Sequence, residues 1–316
     1  MSKGRKKVAV IGAGFVGAAS AFAMAIRQTC NELVLIDIAE DKAIGEARDI
    51  LQGLPFLGNM NIYPGDFSCV SDCDVIVMAA GAGRKPGESR LDLAKKNVGI
   101  AKSVIDEVMK YYNGGVILTV ANPVDILTYM IAKWTNLPSG MVLGTGTTLD
   151  TVRFRSALAK LVGIDVINIH GYIIGEHGDS QLAAWSNTHI AGIQVDAYCA
   201  TNGILLNDEV KEQIMHQVKT DGAEIIKRKG VTCYGVAVCV ATLVHSLLRD
   251  SETIRTVSVV LNGEFGVSDV AISLPAVIGS RGVSKVIEPI LTPSELEFFI
   301  KSGETCKAVL EQCKEL

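Results

Sequence analysis

The sequence lacks an excess of basic residues. It contains 30 lysines and arginines against 34 aspartates and glutamates, a formal net charge of −4 over 316 residues. Proteins whose main partner is nucleic acid or an anionic membrane surface usually present a basic patch or run. The charge balance therefore argues against both partners and favours a small metabolite.

The sequence also lacks the spacings by which cysteine and histidine hold zinc. Its eight cysteines are scattered without a C-x-x-C pair, so we expect no metal site. We interpret them as reduced and mostly buried thiols. Reduced thiols indicate a reducing compartment and hence a cytoplasmic protein.

Neither of two apolar stretches is a convincing membrane segment. The first, residues 8–26, follows a short basic stretch as in a signal peptide, but the glycine motif described next explains it better. The second, residues 231–248, contains threonine, tyrosine, glycine and serine and stands alone. We interpret it as a helix buried in a core or a subunit interface, and we expect no membrane partner.

A glycine motif organises the first half of the chain. A β-branched apolar strand over residues 7–11 leads into Gly12, Gly14 and Gly17, spaced G-x-G-x-x-G at the start of a helix. In a dinucleotide fold these glycines permit a tight turn, backbone approach to a pyrophosphate and close packing of helix on strand. Asp37 ends the next strand, where a carboxylate can bind the ribose hydroxyls and repels a 2′-phosphate. The combination predicts NAD as cofactor; a helix-cap or turn role for Asp37 is the alternative.

Strand and helix patterns alternate as far as residue 134, which predicts an α/β fold with a doubly wound parallel sheet. We place this Rossmann domain at residues 1–145 and an α+β substrate-binding and catalytic domain at residues 146–316. Ligands bind outside the carboxyl ends of such strands, so polar residues that follow strands are candidates for the site.

Two strand exits carry such residues. A glycine-rich loop over residues 81–93 reads as a mobile lid on which Arg84 and Arg90 can present charge to an anionic ligand. An ordinary solvated loop is the alternative. Asn122, after the strand at residues 116–120, could cap the next helix or hydrogen bond a ligand.

The second half centres on His177. It lies between Glu176 and Asp179 in a glycine-flanked turn, and an imidazole changes charge near neutral pH, which suits proton transfer. Upstream, Asp150 and Arg153 share one helix face. They could form a plain intrahelical ion pair, or serve as a carboxylate that orients a histidine beside a guanidinium that grips a carboxylate.

Together these segments resemble the L-lactate/L-malate dehydrogenase family along essentially the whole chain. The resemblance rests on five features in order: the N-terminal glycine motif, the Arg84-to-Arg90 loop, Asn122-Pro123, Asp150-x-x-Arg153 and Gly175-Glu176-His177-Gly178-Asp179-Ser180. It also disposes of the signal-peptide interpretation.

The resemblance implies a hydride-transfer site for a small 2-oxo or 2-hydroxy acid. In it His177 is the acid/base at the C2 oxygen, Asp150 stabilises its imidazolium form and Arg153 holds the C1 carboxylate. Arg90 polarises the carbonyl, and Asn122 hydrogen bonds near the substrate and nicotinamide. It further implies a homodimer or a homotetramer.

Two signals disagree on the substrate. The family position matched by Arg84 is typically arginine in malate dehydrogenases and glutamine in lactate dehydrogenases, and a guanidinium can pair the second carboxylate of oxaloacetate. The surrounding loop and Thr232 instead resemble the pocket of bacterial lactate dehydrogenases. We let Arg84 decide and predict an L-malate dehydrogenase, with an L-lactate dehydrogenase as the alternative.

Two further hypotheses remain open. Arg155 and His170 match positions that bind fructose 1,6-bisphosphate in allosteric bacterial lactate dehydrogenases, although surface or interface roles account for them equally well. An NAD-binding sensor without turnover is a rival function. A sensor would keep the glycine motif but would not need Asp150, Arg153, His177 and Arg90 together.

Overall fold

The computed structural model of the chain describes residues 5–83, 87 and 89–313, apart from the side chain of Arg90. Within this part the first half alternates strand and helix: β1 Lys7–Ile11, α1 Phe15–Ile26, β2 Glu32–Ile36, α2 Glu40–Gly53, β3 Asn61–Pro64, β4 Val75–Met78, α3 Arg90–Tyr111, β5 Val116–Thr119, α4 Val124–Thr135 and β6 Val142–Gly144. Short 3-10 turns at Leu54–Phe56 and Phe67–Asp72 fill two of the connections.

The second half is more irregular. Its elements are α5 Thr148–Val162, β7 Ile169–His170, β8 Ile173–Ile174, β9 Leu182–Ala183, β10 His189–Ile190, β11 Ile193–Gln194, α6 Val195–Thr201, α7 Asp208–Lys229, α8 Tyr234–Leu248, β12 Thr253–Asn262, β13 Ser268–Gly279, β14 Gly282–Val286 and α9 Pro293–Cys313. Three more 3-10 turns lie at Val166–Asn168, Trp185–Asn187 and Glu264–Gly266.

One nine-stranded sheet runs through both halves in the order β14-β13-β12-β6-β5-β4-β1-β2-β3. The six strands from β6 to β3 are parallel, and β12, β13 and β14 add to them antiparallel. Strands β1, β4 and β5 are buried along their whole length, as expected where helices cover both faces of a parallel sheet. The predicted α/β fold with a doubly wound sheet is confirmed.

Helices divide the core between the two faces of this sheet. One apolar cluster includes buried residues of α3, α4 and α9, and the other includes those of α1, α2 and α8. A third cluster around Phe154 and Ile173 holds α5, α6 and α7 against the short strands. Helix α5, which carries Asp150 and Arg153, is therefore held in place by apolar packing in this third cluster.

The connection between β6 and α5 contains the predicted domain division at residues 145 and 146. Strand β12 of the second half pairs with β6, with Ser258 opposite Gly144, so the sheet itself does not stop at that point. The division of the chain into domains 1–145 and 146–316 stays a prediction.

The eight cysteines are all free, and seven of them are buried. None of the described helices is both long enough and apolar enough to cross a membrane. Helix α8 packs on α1, yet Tyr234 and Val238 on α8 are 72% and 54% exposed in the single chain.

Candidate active site

His177 lies just beyond β8, where the chain leaves the core. Gly175 pairs with Ser273 of β13 through two backbone hydrogen bonds of 2.9 Å each. Its φ of +89° is strained for any other residue, and a Cβ there would lie 2.7 Å from Oγ of Ser302. The backbone N–H of Glu176 donates a hydrogen bond of 2.8 Å to the same Ser302 hydroxyl on α9. The glycine thus sends the chain into a turn that is anchored to β13 and α9 before it reaches His177.

The imidazole of His177 meets a buried carboxylate. Its Nδ1 lies 2.7 Å from Oδ2 of Asp150, whose side chain is 2% exposed, whereas the histidine side chain is 28% exposed. A hydrogen bond that fixes Nδ1 leaves Nε2 as the nitrogen available to a ligand. The structure therefore combines a buried anchor with an accessible proton-transfer group.

The electrostatics of the site favour a protonated His177 and an ionised Asp150 over the two neutral side chains. Burial disfavours the charged imidazole, but the charge and hydrogen bond of Asp150 outweigh it, so that the pKa of His177 is raised. Burial likewise opposes ionisation of Asp150, but His177 and Arg153 outweigh it and the pKa of this carboxyl is lowered. Each partner holds the other in its charged form.

Arg153 completes the group one helical turn after Asp150. Its Nη1 donates to Oδ1 of Asp150 at 3.0 Å, and its side chain is 16% exposed. A Cβ built on Gly222 of α7 would lie 3.8 Å from the other terminal nitrogen, so the guanidinium sits between α5 and α7. Since one nitrogen is enough for Asp150, the rest of the planar fork can serve a ligand carboxylate.

The start of α5 is fixed in turn by hydroxyl groups. Thr147 donates through Oγ1 to the carbonyl of Ile173 at 2.5 Å, and its backbone N–H donates to Ser273 at 3.0 Å. Thr148 donates through Oγ1 to the carbonyl of Thr256 at 2.7 Å. These bonds join the Asp150 helix to β8, β12 and β13, which sets the distance between Asp150 and His177.

Sequence reasoning missed Asp125, in the first turn of α4. This carboxylate is 3% exposed, and its Oδ2 accepts the backbone N–H of His177 at 2.7 Å. Burial raises its pKa to about 6. The available signal was an acidic residue three positions after Asn122, but that position is also the usual place for an aspartate that complements the helix dipole.

Asn122 itself follows β5, next to a second missed residue, Asn97 of α3. The Asn97 amide donates to the carbonyl of Asn122 at 2.6 Å and also bonds both backbone polar groups of Ala82. The side-chain oxygen of Asn122 accepts the N–H of Val124 at 3.3 Å, a long capping contact. Capping and ligand contact thus remain compatible for Asn122, and its ligand role stays a prediction.

The remaining substrate-binding predictions concern Arg84, Arg90 and Thr232. Arg84 and the side chain of Arg90 lie outside the described residues. Helix α3 begins at Arg90 because Ser89 and Asp92 form a capping box, with the Asp92 N–H donating 3.0 Å to the Ser89 hydroxyl. Thr232 is half-buried in the connection between α7 and α8. Their contacts with a substrate stay predictions.

The glycine motif has the shape that a dinucleotide requires. A Cβ at Gly12 would lie 2.6 Å from the backbone of Ala80, and one at Gly17 only 1.8 Å from the carbonyl of Gly12. At Gly14, by contrast, a Cβ would have no neighbour within 4 Å in the described part of the chain, where the first turn of α1 also has no side-chain cap. Uncapped N–H groups facing open space at a helix N-terminus suit a pyrophosphate.

Asp37 lies beside this turn at the end of β2. Its carboxylate accepts the N–H of Ala13 at 2.7 Å and that of Ala39 at 2.9 Å, so it braces the glycine loop. A carboxylate has further acceptor positions for ribose hydroxyls. The residues present therefore fit NAD, although the individual contacts of Asp37 and the glycines with it stay predictions.

Arg155 contacts the two residues that follow His170 in the chain. The Nε–H of Arg155 donates a hydrogen bond of 2.9 Å to the carbonyl of Gly171, the residue after His170. The guanidinium carbon lies 5.5 Å from the centre of the Tyr172 ring. Burial lowers the pKa of Arg155. His170 is exposed and stands opposite His189 in the β7–β10 pair. Their role as an anion site stays a prediction.

Several known proteins are similar to this chain in sequence and in fold. An L-lactate dehydrogenase of Thermoanaerobacterium saccharolyticum is 48% identical over 306 residues, covering 97% of this chain and 98% of that protein. The solved L-lactate dehydrogenase from Clostridium thermocellum is 57% identical with a TM-score of 0.88, covering 98% and 100%. The ligand-bound minor L-lactate dehydrogenase from Enterococcus mundtii is 39% identical with a TM-score of 0.94, covering 97% and 98%.

These relatives correct one prediction. The choice of malate dehydrogenase is wrong, because relatives and solved structures similar over nearly the full length are L-lactate dehydrogenases. The error came from letting Arg84 outweigh the lactate-type pocket around it. A single loop cation was given more weight than the framework that determines where a substrate sits.

The two halves of the chain each match a family model. Residues 6–144 match the NAD-binding domain of lactate/malate dehydrogenases, and residues 147–316 match their alpha/beta C-terminal domain. NAD as cofactor is thereby confirmed, and the sensor hypothesis loses its basis. The chain therefore belongs to the lactate/malate dehydrogenase family and is an NAD-dependent dehydrogenase.

Proposed function

We propose that this chain is an L-lactate dehydrogenase that interconverts pyruvate and L-lactate with His177 as acid/base. The observation that carries the proposal is the His177–Asp150 pair at 2.7 Å, in a chain whose full-length relatives are L-lactate dehydrogenases. Pyruvate is a small 2-oxo acid whose reduction needs one proton at the C2 oxygen. An accessible imidazole whose pKa is raised can supply it near neutral pH.

Bound NADH supplies the hydride for C2, and NAD⁺ accepts it in the reverse direction. The protein residues manage charge and protons. Nε2 of His177 donates its proton to the C2 oxygen as negative charge develops there, and Asp150 stabilises the imidazolium before that transfer. In lactate oxidation the same nitrogen is neutral and removes the hydroxyl proton.

Arg153 is proposed to hold the carboxylate of the substrate. Its guanidinium is oriented by Asp150 at 3.0 Å, so it is preorganised, and this bond uses only one of its five N–H donors. A bidentate pair would fix the acid in one orientation and direct C2 toward His177. Asn122 and Thr232 are proposed as further substrate contacts, and Arg90 as the group that polarises the carbonyl.

Three further proposals accompany this function. Eight free cysteines favour a reducing, cytoplasmic environment. The exposed apolar side chains of Phe15, Phe22, Tyr234 and Val238 on α1 and α8 favour a homo-oligomer. A light-scattering mass of a single 33.6 kDa chain would contradict the oligomer. Arg155 and His170 are proposed as a regulatory anion site.

The direct test compares kcat/KM for pyruvate and for oxaloacetate with NADH. We expect pyruvate to be preferred, and a preference for oxaloacetate would refute the proposal. His177→Asn should abolish turnover while NADH binding, measured by fluorescence titration, is retained.

A further inference from the structure

The buried carboxylate of Asp125 contacts the backbone of the catalytic histidine rather than its ring. Oδ2 accepts the His177 N–H at 2.7 Å, while Oδ1 has no hydrogen-bond partner among the described residues. The Ser258 hydroxyl of β12 lies close enough to lower the pKa of Asp125, but the two groups fall short of hydrogen-bonding geometry. Asp125 is thus a charged group held mainly by one peptide.

A purely structural role does not account for a charge at this position. A serine or asparagine side chain could accept the same N–H, and an aspartate that only complements the dipole of α4 has no need to be buried. A buried carboxylate with an unsatisfied oxygen costs free energy. We therefore expect this negative charge to have a function that offsets its cost in stability. The adjacent imidazole, whose charged form it would stabilise, provides such a function.

The surroundings of His177 show what this charge adds. Among the described residues, the charges that act on the ring are those of Asp150 and Arg153 on α5 and of Asp125 on α4, while Glu176 on the same turn and the buried thiol of Cys306 on α9 interact with Asp125. Arg153 disfavours the imidazolium, whereas Asp150 and Asp125 favour it. Arg153 is drawn to Asp150 by their ion pair, and no lysine or arginine of the described residues forms an ion pair with Asp125.

We propose that Asp125 is a positioning residue for His177, which fixes its peptide and supplies a second buried negative charge that favours the protonated ring. The inference rests on the proposed function, in which His177 must be protonated to reduce pyruvate. It gives Asp125 two separable effects. The hydrogen bond sets where the ring stands, and the charge sets the pH range over which the ring is protonated.

The test is Asp125→Asn, which keeps an acceptor for the His177 N–H and removes only the charge. The His177 ring is titrated by NMR in protein labelled at histidine, with His177→Asn to assign its signal among five histidines. We expect the midpoint to fall by about one pH unit. The alkaline limb of kcat/KM for pyruvate should shift equally, with NADH affinity unchanged and kcat at the optimum within about tenfold.

Asp165→Asn is the matched control. Asp165 also accepts a backbone N–H, from Ile167 at 2.9 Å, but at an exposed turn, so its loss should leave both readouts unchanged. An unchanged His177 midpoint in Asp125→Asn would overturn the inference. If Asp125→Asn fails to fold, the same NMR titration of the unmodified enzyme tests the proposal. Its His177 signal should show a second inflection below its own midpoint, where Asp125 takes up a proton, and a single inflection down to the lowest pH at which the enzyme stays folded would overturn the proposal.

The two proposals fail in different ways. Turnover that survives in His177→Asn contradicts the acid/base function whatever Asp125 does. Loss of turnover in His177→Asn together with an unshifted midpoint in Asp125→Asn leaves the dehydrogenase function standing and removes only the role of Asp125.

Discussion

Replacement of Asp150 by asparagine tests the electrostatic core of the site. The Asp150 oxygen lies 2.7 Å from Nδ1 of His177, in a side chain that is 2% exposed. Unit charges about 4 Å apart at an effective dielectric constant of about 20 interact by about 4 kcal/mol. The neighbouring charge of Arg153 offsets part of this interaction. We therefore expect Asp150→Asn to remove roughly 2–4 kcal/mol of stabilisation from the imidazolium, which lowers the pKa of His177 by roughly 1.5–3.

Because the pKa of His177 is lowered in this variant, the loss of activity should depend on pH and on the direction of the reaction. Without Asp150 the imidazolium loses its proton at lower pH, so pyruvate reduction at pH 7.5 should fall by roughly 30- to 1,000-fold in kcat/KM. The loss should shrink as the pH is lowered, because the weakened base is protonated again. Lactate oxidation requires the neutral ring and should be less affected.

Initial rates of NADH consumption between pH 5 and 9 measure this directly. Asp196→Asn is the control, since Asp196 is also ion-paired, with Lys211 at 2.5 Å, but on α6, away from His177. A loss in Asp150→Asn that is uniform across the pH range would refute the electrostatic reasoning and leave Asp150 only a geometric role. A loss smaller than about threefold would refute both.

Two other predictions concern the cofactor turn and the anion site. Gly14→Ala should leave thermal stability unchanged but weaken NADH binding at least about tenfold in a fluorescence titration, because its Cβ meets no atom of the described residues but occupies the pyrophosphate approach. Gly17→Ala should also lower the melting temperature, since its Cβ would overlap the Gly12 carbonyl at 1.8 Å, and equal stability of the two variants would contradict this. Fructose 1,6-bisphosphate should raise the activity or thermal stability of the unmodified enzyme but not of Arg155→Ala, and no change in either property would remove the regulatory proposal.

The cofactor end of the molecule could be predicted from the sequence because its signals are local. Gly12, Gly14, Gly17 and Asp37 lie within one strand–helix–strand unit, where spacing along the chain fixes spacing in space. The sheet order confirmed that unit. The continuation of the sheet from β6 into β12 was not predicted, because strand pairing across more than a hundred residues leaves no periodic trace in the sequence.

The proton-transfer end was predictable only in part. His177 and Asp150 are 27 residues apart, and family resemblance rather than spacing paired them. Asp125 was missed because its burial comes from the packing of α4 against β12 and α9, whereas its own sequence context is that of an ordinary helix start. The substrate was misjudged because Arg84 was weighed as an isolated charge.

The pairing of β12 with β6 also limits how this enzyme can be taken apart. A fragment that ends at residue 145 would expose the backbone edge of β6, an open strand edge prone to pair with other chains. Gly144 and Ser258 meet so closely that a Cβ at Gly144 would lie 3.0 Å from that of Ser258. Chimaeras that exchange catalytic halves between related dehydrogenases should therefore succeed when β6 and β12 come from the same parent, and aggregate when they do not.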